Sequence, residues 1–388
     1  MDEGAASLDR AYAGWSELLR SGNGIPENRA RALVARAFAL DEMSAEILDD
    51  RWPGLGASER SRFRDALAGV LTRELLTAFD GFGEVPALRP ADEEWSRSDG
   101  HVTARYWLVG EQRSDWFAFR LRERSDGGCG ILDVRRGDRS LLGSLEGRVD
   151  RLVDDFSFPS MVAEFGGLDY VVLEDFEDDE VDSLPRGWTW RDGDNNKNKP
   201  YRVKDENGNR YLEATDEGES VILGREISWN LNEFPYISFR VRVNRIPVGG
   251  NERDDDKVDS AAGLYFTLNK RLLGTIPQSI KYVWSSTLPV GVAVQRDGIG
   301  RPWQVVFGTG EEGLGEWRTY TFDLRQAFRD TFGGNPPKAT VGLGILSDAN
   351  SVSEGQAYAD YDDIRAYRSA PASVTSGVRE KLPPLKQQ

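Results

Sequence analysis

The sequence has a single cysteine, Cys129, and a single histidine, His101. Internal disulfides and Cys-rich zinc sites are excluded, and a Cys/His pair would need distant placement. A Ser-His-Asp engine would have to use His101, which follows Asp99–Gly100 at a strand start, the place of a surface turn residue. No apolar run of about 18 residues occurs, so no helix is expected to span a membrane. The sequence holds no G-x-S-x-G, H-E-x-x-H, Walker A or C-x-x-C string. Gly308 to Gly313 spells G-x-G-x-x-G, but no helix follows and two glutamates would repel a pyrophosphate. Asp192 to Asn196 opens like an EF-hand loop, then fails with Lys197 at position six and Val203 at position twelve. A basic block is missing as well. Residues 1–168 hold 30 acids against 22 bases and the remainder 35 against 27, so each part carries -8 of the net -16. That argues against nucleic acid or an anionic membrane surface as the main partner.

What is present is an ordinary folded composition, with 39% hydrophobic residues and 11 Trp, 12 Tyr and 17 Phe in 388 residues. The length predicts two domains. Residues 7–21 read as a helix with Leu8, Tyr12, Trp15 and Leu19 on one side. A second helix carries Leu33, Val34, Ala37 and Phe38, and a shorter one Met43, Ile47 and Leu48. Ser58 is placed to cap a long fourth helix that runs to Phe79. The period then changes to two. Val102, Ala104, Tyr106 and Leu108 alternate, as do Phe117, Phe119 and Leu121, and Ile131 to Val134 makes a third strand. A turn at Gly137–Asp138 leads into a helix with Leu145, Val149, Leu152 and Phe156 on one face. Helices on a small antiparallel sheet predict an α+β domain over residues 1–168.

This order, with Asp133–Val134 in a strand, a Gly-Xaa-Xaa-Ser-Leu element at Gly137 to Leu141 and the helix Arg148 to Phe156, resembles the periplasmic phospholipid-carrier family of toluene tolerance and outer-membrane lipid asymmetry. Ser58–Glu59–Arg60 with Arg62–Phe63 is similar to that family's Gln-Arg-Xaa-Xaa-Phe segment. The resemblance covers residues 8–168. It implies helices on a curved sheet, a hydrophobic cleft for acyl chains, shuttling between membrane complexes, and no catalysis. Tyr106, Phe117, Phe119, Leu145, Val149 and Leu152 are the candidate cleft walls. Arg105, Arg120, Arg122, Arg135 and Arg136 are the candidate phosphate-binding mouth, since Arg suits bidentate phosphate contacts. On the residues alone, the same arginines also read as a solvated outer face and the aromatics as solid core. The sequence departs from the family at Cys129–Gly130, where an aromatic or basic pair is usual, and at Arg135–Arg136, which replace a more apolar run.

After Gly167 short strands recur, among them Tyr170 to Leu173, Ile237 to Val243, Gly263 to Leu268, Lys281 to Trp284 and Ala357 to Tyr367. Many such strands with little helix predict an all-β two-sheet sandwich over 169–370, followed by a flexible tail over 371–388. Lys281–Tyr282–Val283–Trp284, Gly315–Glu316–Trp317, Phe332–Gly333 with Pro336–Pro337, Gly342 to Ile345 with Asp348, and Ala359 to Ile364 resemble an uncharacterised bacterial domain family. That family's jelly-roll, carbohydrate-module-like form is implied over residues 170–369. In a jelly roll the first and last strands commonly lie side by side. Glu174, Asp175 and Glu177 would then meet Asp360, Asp362 and Asp363 as a structural Ca²⁺ site; the alternative is solvent-exposed acids, some paired with Arg365 or Arg368. Trp188, Trp190, Trp229, Trp284, Trp303 and Trp317 are candidates for a sugar-stacking platform or for core. The loop 192–199 reads as polar and mobile.

The reading that follows is a non-enzymatic lipid-binding or phospholipid-transport protein of the cell envelope. Its ligand would be a phospholipid or other acyl-chain molecule, its partner a membrane-embedded lipid-transport complex, and it would need no cofactor beyond the candidate Ca²⁺. The expected location is the periplasm if a signal peptide has been removed, and the cytoplasm if the given N-terminus is native. The alternative is an envelope module that binds glycan or protein through the sandwich, with the first domain as scaffold.

Overall fold

A computed structural model describes residues 2–20, 27–78, 85–91, 96–98, 101–111, 114–124, 128–190, 200–271, 276–352 and 355–371. The polar loop 192–199 and the tail from residue 372 onward lie outside the described residues. The chain divides into two compact units, Met1–Asp154 with Met161–Leu168, and Asp155–Ser160 with Asp169–Gln388. An N-terminal helical region is followed by a sandwich-like region rich in sheet.

The first unit opens with α1 (Asp2–Arg20), α2 (Glu27–Ala37), α3 (Leu40–Leu48), a 3-10 turn at Asp49–Gly54, and α4 (Ala57–Ala78). Ser58 does not cap α4. The cap is Gly56, whose N–H donates to the Glu59 carboxylate at 2.9 Å, so the acid reaches back over the first turn. Six strands follow: β1 (Ala87–Pro90), β2 (Ser96–Ser98), β3 (His101–Val109), β4 (Ser114–Glu123), β5 (Cys129–Arg136) and β6 (Arg139–Ser140). They form one antiparallel sheet in the order β1-β3-β4-β5-β6, with β2 also on β3. A bulge beside Leu132 breaks the alternation of β5. It returns Ile131 and Val134 to one face of the sheet, three residues apart.

The β5–β6 hairpin turns at Gly137–Asp138, with Gly137 at φ 59°, as a two-residue hairpin needs at its first central position. It delivers the chain into α5 (Leu141–Val153), then α6 (Phe158–Gly166). Ser140 caps α5 by accepting from Gly143 N at 2.9 Å. Asp133 completes the joint from the neighbouring strand. Its carboxylate, only 4% exposed, accepts from Leu142 N at 3.0 Å and Ser140 Oγ at 2.8 Å. Leu145 and Val149 are buried on α5, and Leu152 is half-buried. The helix stops at Val153, so Phe156 lies beyond it and does not extend that face.

The second unit holds β7 (Tyr170–Glu174), β8 (Thr189–Trp190), β9 (Tyr201–Glu206), β10 (Asn209–Asp216), β11 (Leu223–Glu226), β12 (Tyr236–Arg245), β13 (Ala262–Arg271), β14 (Ile276–Ser285), β15 (Ala293–Gln295), β16 (Trp303–Thr309), β17 (Arg318–Asp323), α7 (Leu324–Phe332), β18 (Gly342–Ile345) and β19 (Ala357–Tyr367). One sheet runs β17-β12-β19-β10-β9, with β7 on β19; the other runs β15-β16-β14-β13-β18-β11-β8. The pair β14–β16 is parallel, a departure from an all-antiparallel sandwich. Rings from the two sheets meet between them: Tyr282 stacks on Phe322 at 3.6 Å, and Phe239 meets Phe307 edge-on at 5.2 Å. Gly308 is required by this packing, because a Cβ there would lie 2.4 Å from the Trp284 ring. The G-x-G-x-x-G string is thus a strand end and a turn.

Replacing Asp133 by Ala would leave the buried Leu142 N–H without its acceptor and remove the partner of the cap residue. Asp133→Ala is expected to destabilise the first unit by about 2–3 kcal/mol in urea unfolding, whereas Asp138→Ala, on the exposed turn, should change it by less than about 0.5 kcal/mol.

Candidate functional site

Beneath α1 the first unit leaves an apolar groove open to solvent. Its walls are Leu8, Ala11, Tyr12 and Trp15 of α1, Phe38, Leu75 of α4, Leu88 of β1, Leu108 of β3, Phe117 and Phe119 of β4, and Ile131 and Val134 of β5. The Tyr12 hydroxyl donates to the Pro86 carbonyl, which satisfies a polar group at the wall. The cavity volume is about 100 Å³. An apolar cavity of roughly 150 Å³ accepts a benzene, so this groove as it stands takes only a few methylene groups.

Of the cleft walls expected from sequence, Phe117 and Phe119 line the groove. Tyr106 is buried and meets Phe119 edge-on at 6.0 Å. Leu145, Val149 and Leu152 stand on α5, outside the walls. The α1 wall was the unforeseen part, although the steps of four and three linking Leu8, Tyr12 and Trp15 already marked a buried face.

The arginines do not form the mouth of this groove. Strand alternation sends Arg105, Arg120 and Arg135 to the other face, where they line a separate, polar cleft of about 650 Å³. Its remaining walls include Glu46 of α3, Thr103, Trp116, Ala118, Asp133 and Glu146 of α5. Arg122 lies further along β4, opposite His101 and Gly130, and Arg136 pairs with Asp115 at 3.0 Å.

In the sandwich β7 does pair with β19, with Glu174 opposite Ile364. Glu174, Glu177, Asp360, Asp362 and Asp363 nevertheless have donors within the protein, Arg240 serving both Asp362 and Asp363. Glu174 accepts from Asp175 N and Phe176 N at 3.0 Å each, from Trp188 Nε1 at 2.7 Å and from Arg225. Glu177 accepts from Arg210 N at 3.1 Å. Asp360 takes Arg242 Nε at 2.6 Å and Asn244 at 2.9 Å, while Asp362 takes Arg240 and Asn209 at 3.0 Å each. Asp363 pairs with Arg365 at 2.6 Å. Charge that the sequence reading gave to a cation is supplied by arginines directly across the β12–β19 ladder. Among the described residues, no group of three or more His, Cys, Asp or Glu is arranged to hold a metal ion.

The same ladder carries an aromatic surface. Both the Arg240 and the Arg242 guanidinium lie 4.7 Å from the centre of the Trp317 ring, and Trp317 Nε1 donates to Glu206 at 3.2 Å. Tyr211 meets Trp317 edge-on at 5.5 Å. The Trp317 ring is therefore engaged by its own arginines. Trp188, Trp229 and Trp284 are buried, and Trp190 and Trp303 are half-buried.

Residues 186–365 match a family described as a protein of unknown function (DUF3047). No curated protein matches the chain. Among solved structures it is similar to a phospholipid-binding protein from Ralstonia solanacearum in complex with a phospholipid, at 14% identity over 39% of this chain and 84% of that one, TM-score 0.33. It is also similar to the family 30 carbohydrate-binding module of a cellulosomal cellulase of Clostridium thermocellum, at 13% identity over 51% of this chain and 96% of that one, TM-score 0.28. A mannan-recognising carbohydrate-binding module gives 14% identity over 52% of this chain and 99% of that one, TM-score 0.22.

One buried acid of the sandwich gives a test by pH. Asp216 is fully buried and accepts from Gly218 N at 3.0 Å and Ser220 N at 2.8 Å. Burial outweighs these bonds and pushes its carboxyl up to about 7. A carboxyl held above its unfolded value favours the fold fully below that value, and the benefit is lost as pH rises through the folded one. Unfolding free energy should therefore fall between pH 4 and pH 8, and Asp216→Asn should remove on the order of 3 kcal/mol of that fall in paired denaturation curves.

Proposed function

We propose that the first unit binds a hydrocarbon chain of an amphiphile, most simply an acyl chain, in the groove beneath α1. The observation that carries this is a solvent-open groove walled by apolar side chains from α1, α4, four strands and the Phe38 link. The chain would be a non-enzymatic lipid-binding or phospholipid-transport protein of the cell envelope, located in the periplasm and exchanging cargo with a membrane-embedded complex. The sandwich, of jelly-roll and carbohydrate-module-like form, would serve docking or ligand binding.

The groove's size sets a condition on this reading. At about 100 Å³ it holds roughly three methylenes, taking each as near the ~30 Å³ share of a water. At about 0.8 kcal/mol per CH₂ that is near 2.5 kcal/mol, well short of the roughly 8 kcal/mol of micromolar binding. A functional carrier must widen the groove, and α1, which forms one wall through Leu8, Ala11, Tyr12 and Trp15, is the element to move. Glycan or protein binding through the sandwich is the second reading, with the Trp317–Tyr211 surface as its site. It ranks below because arginines already lie on the Trp317 ring.

Ala11 lines the groove from α1 and is half-buried, so a larger side chain there can fill the space without displacing the core. Protein purified without detergent should take up a fluorescent fatty acid or lipid from vesicles, and Ala11→Phe should weaken that uptake about tenfold with little loss of stability. Absence of uptake by the unmodified protein, together with no copurifying amphiphile in native mass spectrometry, would overturn the proposal.

A further inference from the structure

The polar cleft on the opposite face of the small sheet is a site in its own right. Its volume of about 650 Å³ lies within the roughly 300–1,000 Å³ of small-molecule pockets, and it is several times larger than the apolar groove. Ala118 of β4 makes its floor. The register places Arg105 of β3 on one side of Ala118 and Arg135 of β5 on the other. Two strand spacings of about 4.8 Å separate the two Cα atoms, so both guanidinium groups reach the space above the alanine. Arg135 has no carboxylate partner among the described residues. Trp116, two residues before Ala118 on the same face, holds the Arg105 guanidinium at 5.8 Å from its ring centre. This end of the cleft is built to receive anionic oxygens.

The other end has the opposite character. Arg120 is taken by Glu46 at 2.5 Å, and its buried Nε lacks an acceptor. Asp133 is consumed by the α5 cap. Glu146 then faces the cleft beside Glu46, Asp133 and Asp150, with Arg120 as the nearby cation; burial first, then those acids, raise its carboxyl above the ordinary range. A cation placed there would relieve this crowding.

We infer that the cleft binds a small zwitterion, with its anionic group between Arg105 and Arg135 and its ammonium group against Glu146. The separation of the two charges across one cleft selects a molecule that carries both. Either a phosphodiester or a carboxylate suits the arginine end. This site does not depend on the groove beneath α1, and its ligand needs no acyl chain.

The test is calorimetric titration of the full chain with glycerophosphocholine and with glycine betaine, against choline chloride and inorganic phosphate as single-charge probes. None of the four carries an acyl chain, so failure here is distinct from failure of hydrocarbon uptake. At least one zwitterion should bind saturably, about tenfold or more tighter than either single-charge probe. Whichever zwitterion prevails identifies the anionic group. Arg135→Gln and Glu146→Gln should each weaken that binding about tenfold, with thermal unfolding unchanged and fatty-acid uptake retained. Equal affinity for phosphate alone, indifference to both substitutions, or no saturation by either zwitterion up to about 10 mM would overturn the inference.

Discussion

Strand β4 is hydrogen-bonded along both edges, to β3 and to β5, and that double pairing fixes which side of the sheet each of its residues occupies. Phe117 and Phe119 go to one face, and Trp116, Ala118 and Arg120 to the other. An apolar groove and a charged cleft are thus separated by a single sheet thickness. The bulge at Leu132 is the one local exception, and it serves the same division by bringing Ile131 onto the face of Val134. A one-residue slip of β4 would put phenylalanines among the arginines and destroy both surfaces together.

The sandwich handles polar groups by a different rule. Asp360 and Asp362 lie on the middle strand of a sheet at 2% and 1% exposure, yet each faces an arginine across the ladder and an asparagine beside it. Buried carboxylates are tolerable there because the guanidinium groups are held in place by the Trp317 and Tyr211 rings above them. Burial nevertheless raises the carboxyls of Asp360 and Asp362, as it does that of Asp216, which has only backbone donors.

Much of the strand content was legible because period two is a strong signal: Val102 to Leu108, Phe117 to Leu121 and Ile237 to Val243 all lie within strands of the structure. Alternation also contained the separation of Arg105, Arg120 and Arg135 from Tyr106, Phe117 and Phe119. Grouping them as one cleft came from the family resemblance, which has no strand parity in it. The α1 wall was visible only as an apolar helix face, since a helix that covers a cavity and one that covers a core present the same stripe. The first and last strands of the sandwich were expected side by side, and β7 does pair with β19; Glu174 ends β7, while Asp175 and Glu177 lie beyond it. What sequence could not supply was the counter-charges of the carboxylates, because Arg240 and Arg242 lie more than a hundred residues away from Asp362 and Asp360 in the chain. The helix α7 after β17 was also unforeseen, although Asp323 caps it through Gln326 N at 2.8 Å.

The aspartate of β5 and the serine before α5 meet in a hydrogen-bonded joint that turns a hairpin into a helix. That joint uses both oxygens of the Asp133 carboxylate. The start of α5 is thereby pinned to β5, at the wall shared with the polar cleft, before any side chain of the helix packs.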